Sequence, residues 1–293
     1  MVTNIKTNLP IYKDKIKAMH LVSSFWDNVS LGWQKIWGPH IHHGFYDETK
    51  STPLEAQEKL MVKLAQLLDI QPKAQILDVG CGMGSSAFYL AKNFNANVSG
   101  ITLSQKQVSI AQRAADQQNV KNVNFKIEDA LSLASFKDNT FDIAWSLESC
   151  EQFFDKQQFI KQVERKLKLG GKLMLATWCS DQEEYSEQLA KRYRKLCIAF
   201  DLPYMPTSTH YTELLLAQGF KIHHNLDWSH QVKESWEVGT SLLQALSLLR
   251  IIKIGGLRAW RFVNSVSIMR DAFNDGNVKY CVFVAEKITN FST

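Results

Sequence analysis

The chain has 293 residues, 45% of them hydrophobic and 22% charged, which suits one large α/β domain with a sizeable cap and excludes a disordered or collagenous chain. Its formal charge of +5 is carried by lysines and arginines scattered at helical surface spacing, such as Lys161, Arg165, Lys166 and Lys168, so a nucleic-acid groove is not expected. Five cysteines, an odd number with no C-x-x-C pair, argue for a reducing compartment and against a disulfide framework. The first twenty residues hold several lysines and no apolar run, so no secretory signal is read there and a cytoplasmic location is expected.

In chain order, residues 11–38 read as an irregular helix rich in aromatics, Tyr12, Phe25, Trp26, Trp33 and Trp37 among them. Gly38 to Tyr46 is a loop by its glycines and proline. Pro53 opens a helix to about Asp69, with Leu60, Leu64, Leu67 and Leu68 at helical period. Strands are expected near 75–79, 97–102, 123–127, 141–146 and 172–178, with helices at about 85–94, 104–118 and 156–168. That alternation implies βαβ units and a mainly parallel sheet covered on both faces. Beyond Trp178 the pattern predicts helices at 183–200 and 211–219, a strand at 221–227, a long helical stretch at 232–273 and a closing strand at 278–285. The apolar run Leu242–Ile254 is too short to span a bilayer and is broken by Arg250 and Lys253; it reads as a buried or pocket-lining helix, with contact to a membrane surface as the second reading.

The most informative segment is Ile76-Leu-Asp-Val-Gly-Cys-Gly-Met-Gly84. A short apolar strand enters a glycine turn, and a helix begins at Ser85. Glycines at 80, 82 and 84 allow a ligand closer than a Cβ would permit, and the helix N-terminus offers free N–H groups. The spacing is G-x-G-x-G rather than G-x-G-x-x-G, and Asp78 before the turn repels a pyrophosphate but suits an ammonium. A ligand with both a carboxylate and an amine fits, as S-adenosylmethionine does; a glycine turn that merely packs helix on sheet is the alternative. Gly100–Gln107, Ile127–Ala130, Trp145–Gln152 and Thr177–Cys179 each lie at the carboxyl end of an expected strand, where open α/β sheets bind ligands.

Through these segments the chain resembles class I S-adenosylmethionine-dependent methyltransferases, and within them the γ-tocopherol methyltransferase family. The likeness is carried by Trp37-Gly-Pro-His-Ile-His-His-Gly-Phe-Tyr-Asp47, Gly100-Ile-Thr-Leu-Ser104, Trp145-Ser-Leu-Glu-Ser149, Thr177-Trp-Cys179 and Asp227-Trp-Ser229. It implies a Rossmann-like seven-stranded sheet with an antiparallel last strand, an N-terminal helical lid over residues 1–53, a cofactor-binding core over 70–180 and a helical cap over 181–275. It also implies that Asp78, Gly80 and Gly82 hold the methionine part of the cofactor. Thr102, Leu103 and Gln107 stand where most class I enzymes have an acid for the ribose. Asp129 and Ala130 are implied to meet the adenine, and Leu147 and Glu148 to lie beside the sulfonium.

The expected acceptor is a hydrophobic aromatic or prenylated small molecule, contacted by Trp37, His43, Tyr46, Gln152 and Phe153 and methylated on carbon, nitrogen or oxygen. Tocopherol-like phenols and indole or alkaloid acceptors both remain open, as do natural-product O-methylation and sterol or lipid methylation. The family often has histidine where this chain has Gln152, and a Met-Pro pair where it has Phe153-Phe154. The base is therefore sought at His43, Glu148 or Glu151, or is dispensed with in favour of proximity, with Gln152 shaping turnover. The cluster His40, His42, His43 lacks the spaced cysteines or carboxylates of a zinc site, so no metal is expected and a lid loop is read instead. Trp26, Trp33 and Trp37 serve either as lid core or as an aromatic wall able to stabilise a cation.

Overall fold

The computed structural model describes residues 4–12, 14–48, 50–244 and 265–289. Seven strands form the main sheet: β2 (Gln75–Val79), β3 (Asn97–Thr102), β4 (Val123–Ile127), β5 (Phe141–Leu147), β6 (Leu167–Ser180), β8 (Phe220–Asp227) and β9 (Val278–Lys287). They lie in the order β4-β3-β2-β5-β6-β9-β8. All run parallel except β9, which is antiparallel to both β6 and β8. The expected sheet is therefore present, its direction of winding reversing between β2 and β5.

Side chains leaving opposite faces of each strand build two cores. Ile76, Trp145 and Met174 pack on one face with Leu60 and Leu64 of α2 (Pro53–Gln66), Leu90 of α3 (Ser85–Phe94) and Ala111 of α4 (Gln105–Gln117). Leu77, Val79 and Phe283 pack on the other with Phe159 and Val163 of α5 (Lys156–Lys166) and Leu215 of α7 (Ser208–Ala217). Each such side chain, fully withdrawn from water, contributes about 1.5–3 kcal/mol, and this two-sided burial explains why the strands read as near-continuous apolar runs.

Helix α2 starts as its sequence suggests: Pro53 stands in the first turn while Thr52 and Glu55 form a reciprocal capping box. The N-terminal helix α1 (Lys15–Trp37) is a single long helix capped by Asp14. Its middle is tied down at two adjacent residues. Asp27 Oδ1 accepts from the Ser104 hydroxyl at 2.6 Å and from the Lys106 N–H at 3.0 Å, at the head of α4. The Trp26 indole N–H donates to Gln152 Oε1 at 2.9 Å.

Several boundaries differ from the sequence reading. The helix expected from 183 begins at Glu187 (α6, Glu187–Ala199), because Glu184–Tyr185 forms β7, paired with β1 (Ile5–Lys6). This two-residue pairing straps the N-terminus to the cap, and Thr7 is buried under it with its hydroxyl donating to the Gln182 carbonyl at 2.9 Å. Strand β6 starts earlier than expected, running through Gly170 and Gly171. The stretch expected as one helix from 232 divides into α8 (Ser229–Val232) and α9 (Glu234–Gln244), and residues 265–274 are helical. Of the apolar run Leu242–Ile254, residues from 245 onward lie outside the described residues. Among the described residues no helix is long and apolar enough to cross a membrane.

Candidate functional site

A large cavity opens at the carboxyl ends of the parallel strands, around the point where the sheet reverses. It encloses about 1830 Å³, mouth included. One end is floored by Asp78, Gly80, Gly82, Thr102, Leu103, Gln107, Asp129 and Ala130, and the other is walled by Trp26, Trp37, Trp178, Phe200 and Trp236.

The glycine turn is fixed by sterics. Gly80 has φ +75°, and a Cβ on it would lie 2.2 Å from the Ser149 Cβ. Ser149 is held there by its hydroxyl, which donates to the Val79 carbonyl at 2.7 Å. Only glycine satisfies both the backbone and this neighbour. Asp78 beneath the turn is 2% exposed, and its Oδ2 has no hydrogen-bond partner. Burial pushes its carboxyl up to about 7, opposed only by the Ala87 N–H. A buried carboxylate left short of partners is a place for a cation.

On the ribose side expected from the sequence, the Thr102 hydroxyl donates to Gln107 Oε1 at 2.7 Å, which leaves the Gln107 amide as a donor. Asp129 Oδ1 accepts from the Leu131 N–H at 2.9 Å, which orients the carboxylate at the cavity edge. No acid follows β3 in sequence, but the structure brings Asp27 from α1 to that helix head, where it is consumed by capping α4.

The aromatic end is organised by Glu148, immediately after β5. Its backbone is left-handed, φ +50°, a conformation that costs about 1 kcal/mol for a non-glycine residue. In that posture Oε2 meets His43 Nδ1 at 2.6 Å, and Oε1 accepts from the His43 backbone N–H at 2.9 Å and from the Tyr280 hydroxyl at 2.9 Å. Burial raises the Glu148 carboxyl, but the His43 ring and its hydrogen bonds outweigh it, and the net displacement is downward. Glu148 is thus ionised and fixes a proton on His43 Nδ1. The other ring nitrogen, Nε2, makes no hydrogen bond with the described residues, and His43 lines the cavity. Trp236, Tyr280 and Trp178 meet the His43 ring edge-to-face, with centroids 4.9, 5.4 and 5.8 Å away. The arrangement can take a proton at Nε2 and stabilise the resulting imidazolium.

The neighbouring histidines have a different character. Burial, aided by His42, lowers His40 to about 3, and burial lowers His42 as well. Both are neutral, and His42 Nδ1 lies 2.8 Å from the His43 carbonyl. Among the described residues no group of three His, Cys, Asp or Glu is placed to hold a metal ion.

Glu151, three residues past Glu148, is raised to about 7 by burial and then by the Glu148 charge. Its turn is fastened by Lys156, fully buried, whose Nζ donates to the carbonyls of Glu151, Phe153 and Tyr204 at 3.0, 2.8 and 3.1 Å. Cys150 is likewise buried, with its thiol pushed up to about 12 by desolvation, as an inert packing residue should be.

The cavity gathers Asp78, Gly80, Gly82, Thr102, Leu103, Gln107, Asp129, Ala130, Leu147 and Glu148, together with Trp37, His43, Gln152 and Phe153. Tyr46 is the exception. It does not line the cavity; it packs over Gly44 and is buried beside Ser235 and Glu234. Gln152 engages both amide atoms, its Oε1 accepting from the Trp26 indole and its Nε2 donating to the Phe200 carbonyl at 3.3 Å, so it tethers α1. Sequence reasoning missed Trp236, Phe200 and Tyr280. Tyr280 alone carried a signal, since it lies on the closing strand in register with Trp178.

Residues 70–234 match the methyltransferase domain family model. Over 288 residues the chain is 31% identical to tocopherol O-methyltransferase, chloroplastic, of Arabidopsis thaliana, covering 91% of this chain and 81% of that protein. It is 26% identical to norajmaline N-methyltransferase of Rauvolfia serpentina, covering 91% and 97%. Among solved structures, the [4+2]-cyclase SpnF superposes with a TM-score of 0.81 at 25% identity, covering 93% of this chain and 97% of that one.

Proposed function

The chain belongs to the methyltransferase domain family, its cofactor is S-adenosylmethionine, and from that premise we propose that it methylates a hydrophobic aromatic small molecule with His43 as the proton acceptor. The residues fit the cofactor. The unsatisfied Asp78 carboxyl suits its ammonium, the glycine turn admits its backbone-sized methionine part, and Gln107 and Asp129 can meet ribose and adenine. When bound, the cofactor supplies an electrophilic methyl group on positively charged sulfur.

The chain's own residues position and deprotonate the acceptor. The aromatic wall seats a flat apolar molecule and excludes water. A phenol or ammonium of pKa near 10 must lose its proton at pH 7, at about 4 kcal/mol, and His43 Nε2 is the group available to receive it. Glu148 keeps the ring in the accepting tautomer and offsets the charge it acquires, while Tyr280 holds Glu148 in place. The observation that carries this reading is the 2.6 Å His43–Glu148 contact inside the cavity that also holds the glycine turn. The relatives favour a tocopherol-like phenol or an alkaloid-like nitrogen as acceptor; O-methylation of a natural product is the second reading.

The test is incubation with isotope-labelled S-adenosylmethionine and a panel containing γ-tocopherol, a phytylated hydroquinone and indole amines, followed by mass spectrometry of the products. A product heavier by one labelled methyl group supports the proposal. Rearrangement without gain of mass, as a cyclase would give, or no affinity for S-adenosylhomocysteine, refutes it.

A further inference from the structure

The chain is net basic, yet its cavity is not. Asp78, Glu128, Asp129, Glu148, Glu151 and Asp201 line it, and among the described residues no lysine or arginine does. Asp78 and Asp129 belong to the glycine-turn end, and Glu148 is engaged by His43 and Tyr280. Glu151 has no such assignment. It is 4% exposed, with Oε1 accepting from the Trp178 backbone N–H at 2.9 Å. No hydrogen bond reaches Oε2, although the Thr177 hydroxyl lies beside it.

The wall next to this carboxyl is a cluster of three rings. Trp178, Phe200 and Trp236 pack mutually edge-to-face, with centroids 5.6 to 5.8 Å apart, and all three line the cavity. The face of tryptophan attracts cations most strongly among the aromatic side chains. The Trp178 N–H, the Thr177 hydroxyl and the charge of buried Lys156 favour the ionised Glu151 carboxyl, yet its second oxygen stays without a hydrogen bond, and a positive partner there adds the stabilisation that burial withholds. The Glu151 carboxyl is displaced upward by burial and then by the Glu148 charge, so its present contacts do not offset its desolvation. Among the described lining residues the lasting charges are carboxylates, which disfavours negative charge on an acceptor.

We propose that Glu151, with the Trp178–Phe200–Trp236 cluster, forms a subsite for a positively charged nitrogen on the acceptor, so that the protein selects aromatic amines over their neutral or anionic isosteres. The proposal rests on the methyl-transfer reading above and sharpens its substrate class.

The test uses three indoles that share a two-carbon side chain and end in a positive, neutral or negative group: tryptamine, tryptophol and indole-3-propionate. Each is titrated by calorimetry at pH 8 into the full chain saturated with S-adenosylhomocysteine. Tryptamine should bind about tenfold more tightly than tryptophol, and the propionate weakest. Glu151→Gln should erase the preference for tryptamine while leaving tryptophol and S-adenosylhomocysteine binding unchanged, the latter showing that the variant is folded. Glu151→Asp should retain part of the preference. Equal binding of the three indoles, binding of none, or a preference that survives in Glu151→Gln overturns the proposal. Absence of S-adenosylhomocysteine binding to the unmodified chain would instead overturn the methyl-transfer reading beneath it.

Discussion

Replacing Glu148 by glutamine alters one charge and almost no volume, and the structure fixes what must follow. The Oε1 position receives two donors, the His43 backbone N–H and the Tyr280 hydroxyl, each at 2.9 Å. The backbone N–H cannot reverse its role, so the glutamine oxygen must stay there, and its NH₂ group then faces His43 Nδ1 across 2.6 Å. A donor in that position forces Nδ1 to accept, and the imidazole proton moves to Nε2. The lone pair that would receive the acceptor's proton is thereby removed, and so is the charge that stabilises imidazolium. General-base loss of this kind lowers kcat about 10²- to 10⁴-fold, or roughly 3–5 kcal/mol of barrier. The fold should lose no more than about 1.5–3 kcal/mol, since the glutamine keeps the two bonds at Oε1 and makes the third as a neutral bond of reversed direction. Nitrogen-15 NMR of the His43 ring reads the tautomer, and single-turnover transfer of labelled methyl to any acceptor taken by the unmodified chain reads the rate. S-adenosylhomocysteine affinity should be unaltered. A Glu148→Gln protein with the wild-type tautomer and wild-type rate would refute the assignment of His43 as base.

Asp129→Ala should weaken S-adenosylhomocysteine binding by about 1–3 kcal/mol through a lost hydrogen bond, and unaltered affinity by calorimetry would place the adenine elsewhere. Asp78 supplies a pH signature. Burial raises its folded pKa to about 7 from 3.8, so the empty fold keeps that proton longer than the unfolded chain. It loses on the order of 1.4 kcal/mol per pH unit as pH rises from about 4 to 7. An ammonium seated beside the carboxylate removes this penalty. S-adenosylhomocysteine should therefore bind more tightly as pH rises through 7, releasing a proton detectable by calorimetry in buffers of different ionisation enthalpy; proton release undiminished in Asp78→Asn would show that another group is responsible. Gln152→Ala should leave the chemical step intact but speed S-adenosylhomocysteine dissociation several-fold, because the tether to Trp26 contributes about 1 kcal/mol. Stopped-flow tryptophan fluorescence reads that rate, and an unchanged value would show that Gln152 does not hold α1 closed.

The sheet was legible because its strands are buried on both sides and therefore appear as apolar runs such as Ile76–Val79, separated by helices with clear period. The glycine turn was legible for a related reason: Gly80 and Gly82 obey local steric demands that a sequence displays directly. The aromatic end of the cavity depends on long-range meetings. Glu148 and Tyr280 are 132 residues apart in the chain, and Trp26 and Gln152 are 126 apart, so neither bond leaves a local pattern. Tyr46 shows the reverse error. It belongs to the same loop as His43, but the chain turns between them, and a motif's membership does not fix which way each side chain points. The two-residue pairing of β1 with β7 is too short to imprint any alternation.

The consecutive placement of Trp26 and Asp27 has a consequence for traffic. One anchor reaches the aromatic chamber and the other the head of α4, within a single helical turn. A rigid rod clasped at both compartments cannot uncover one and leave its neighbour sealed. Displacing this helix would therefore expose the glycine-turn end and the aromatic end of the cavity together.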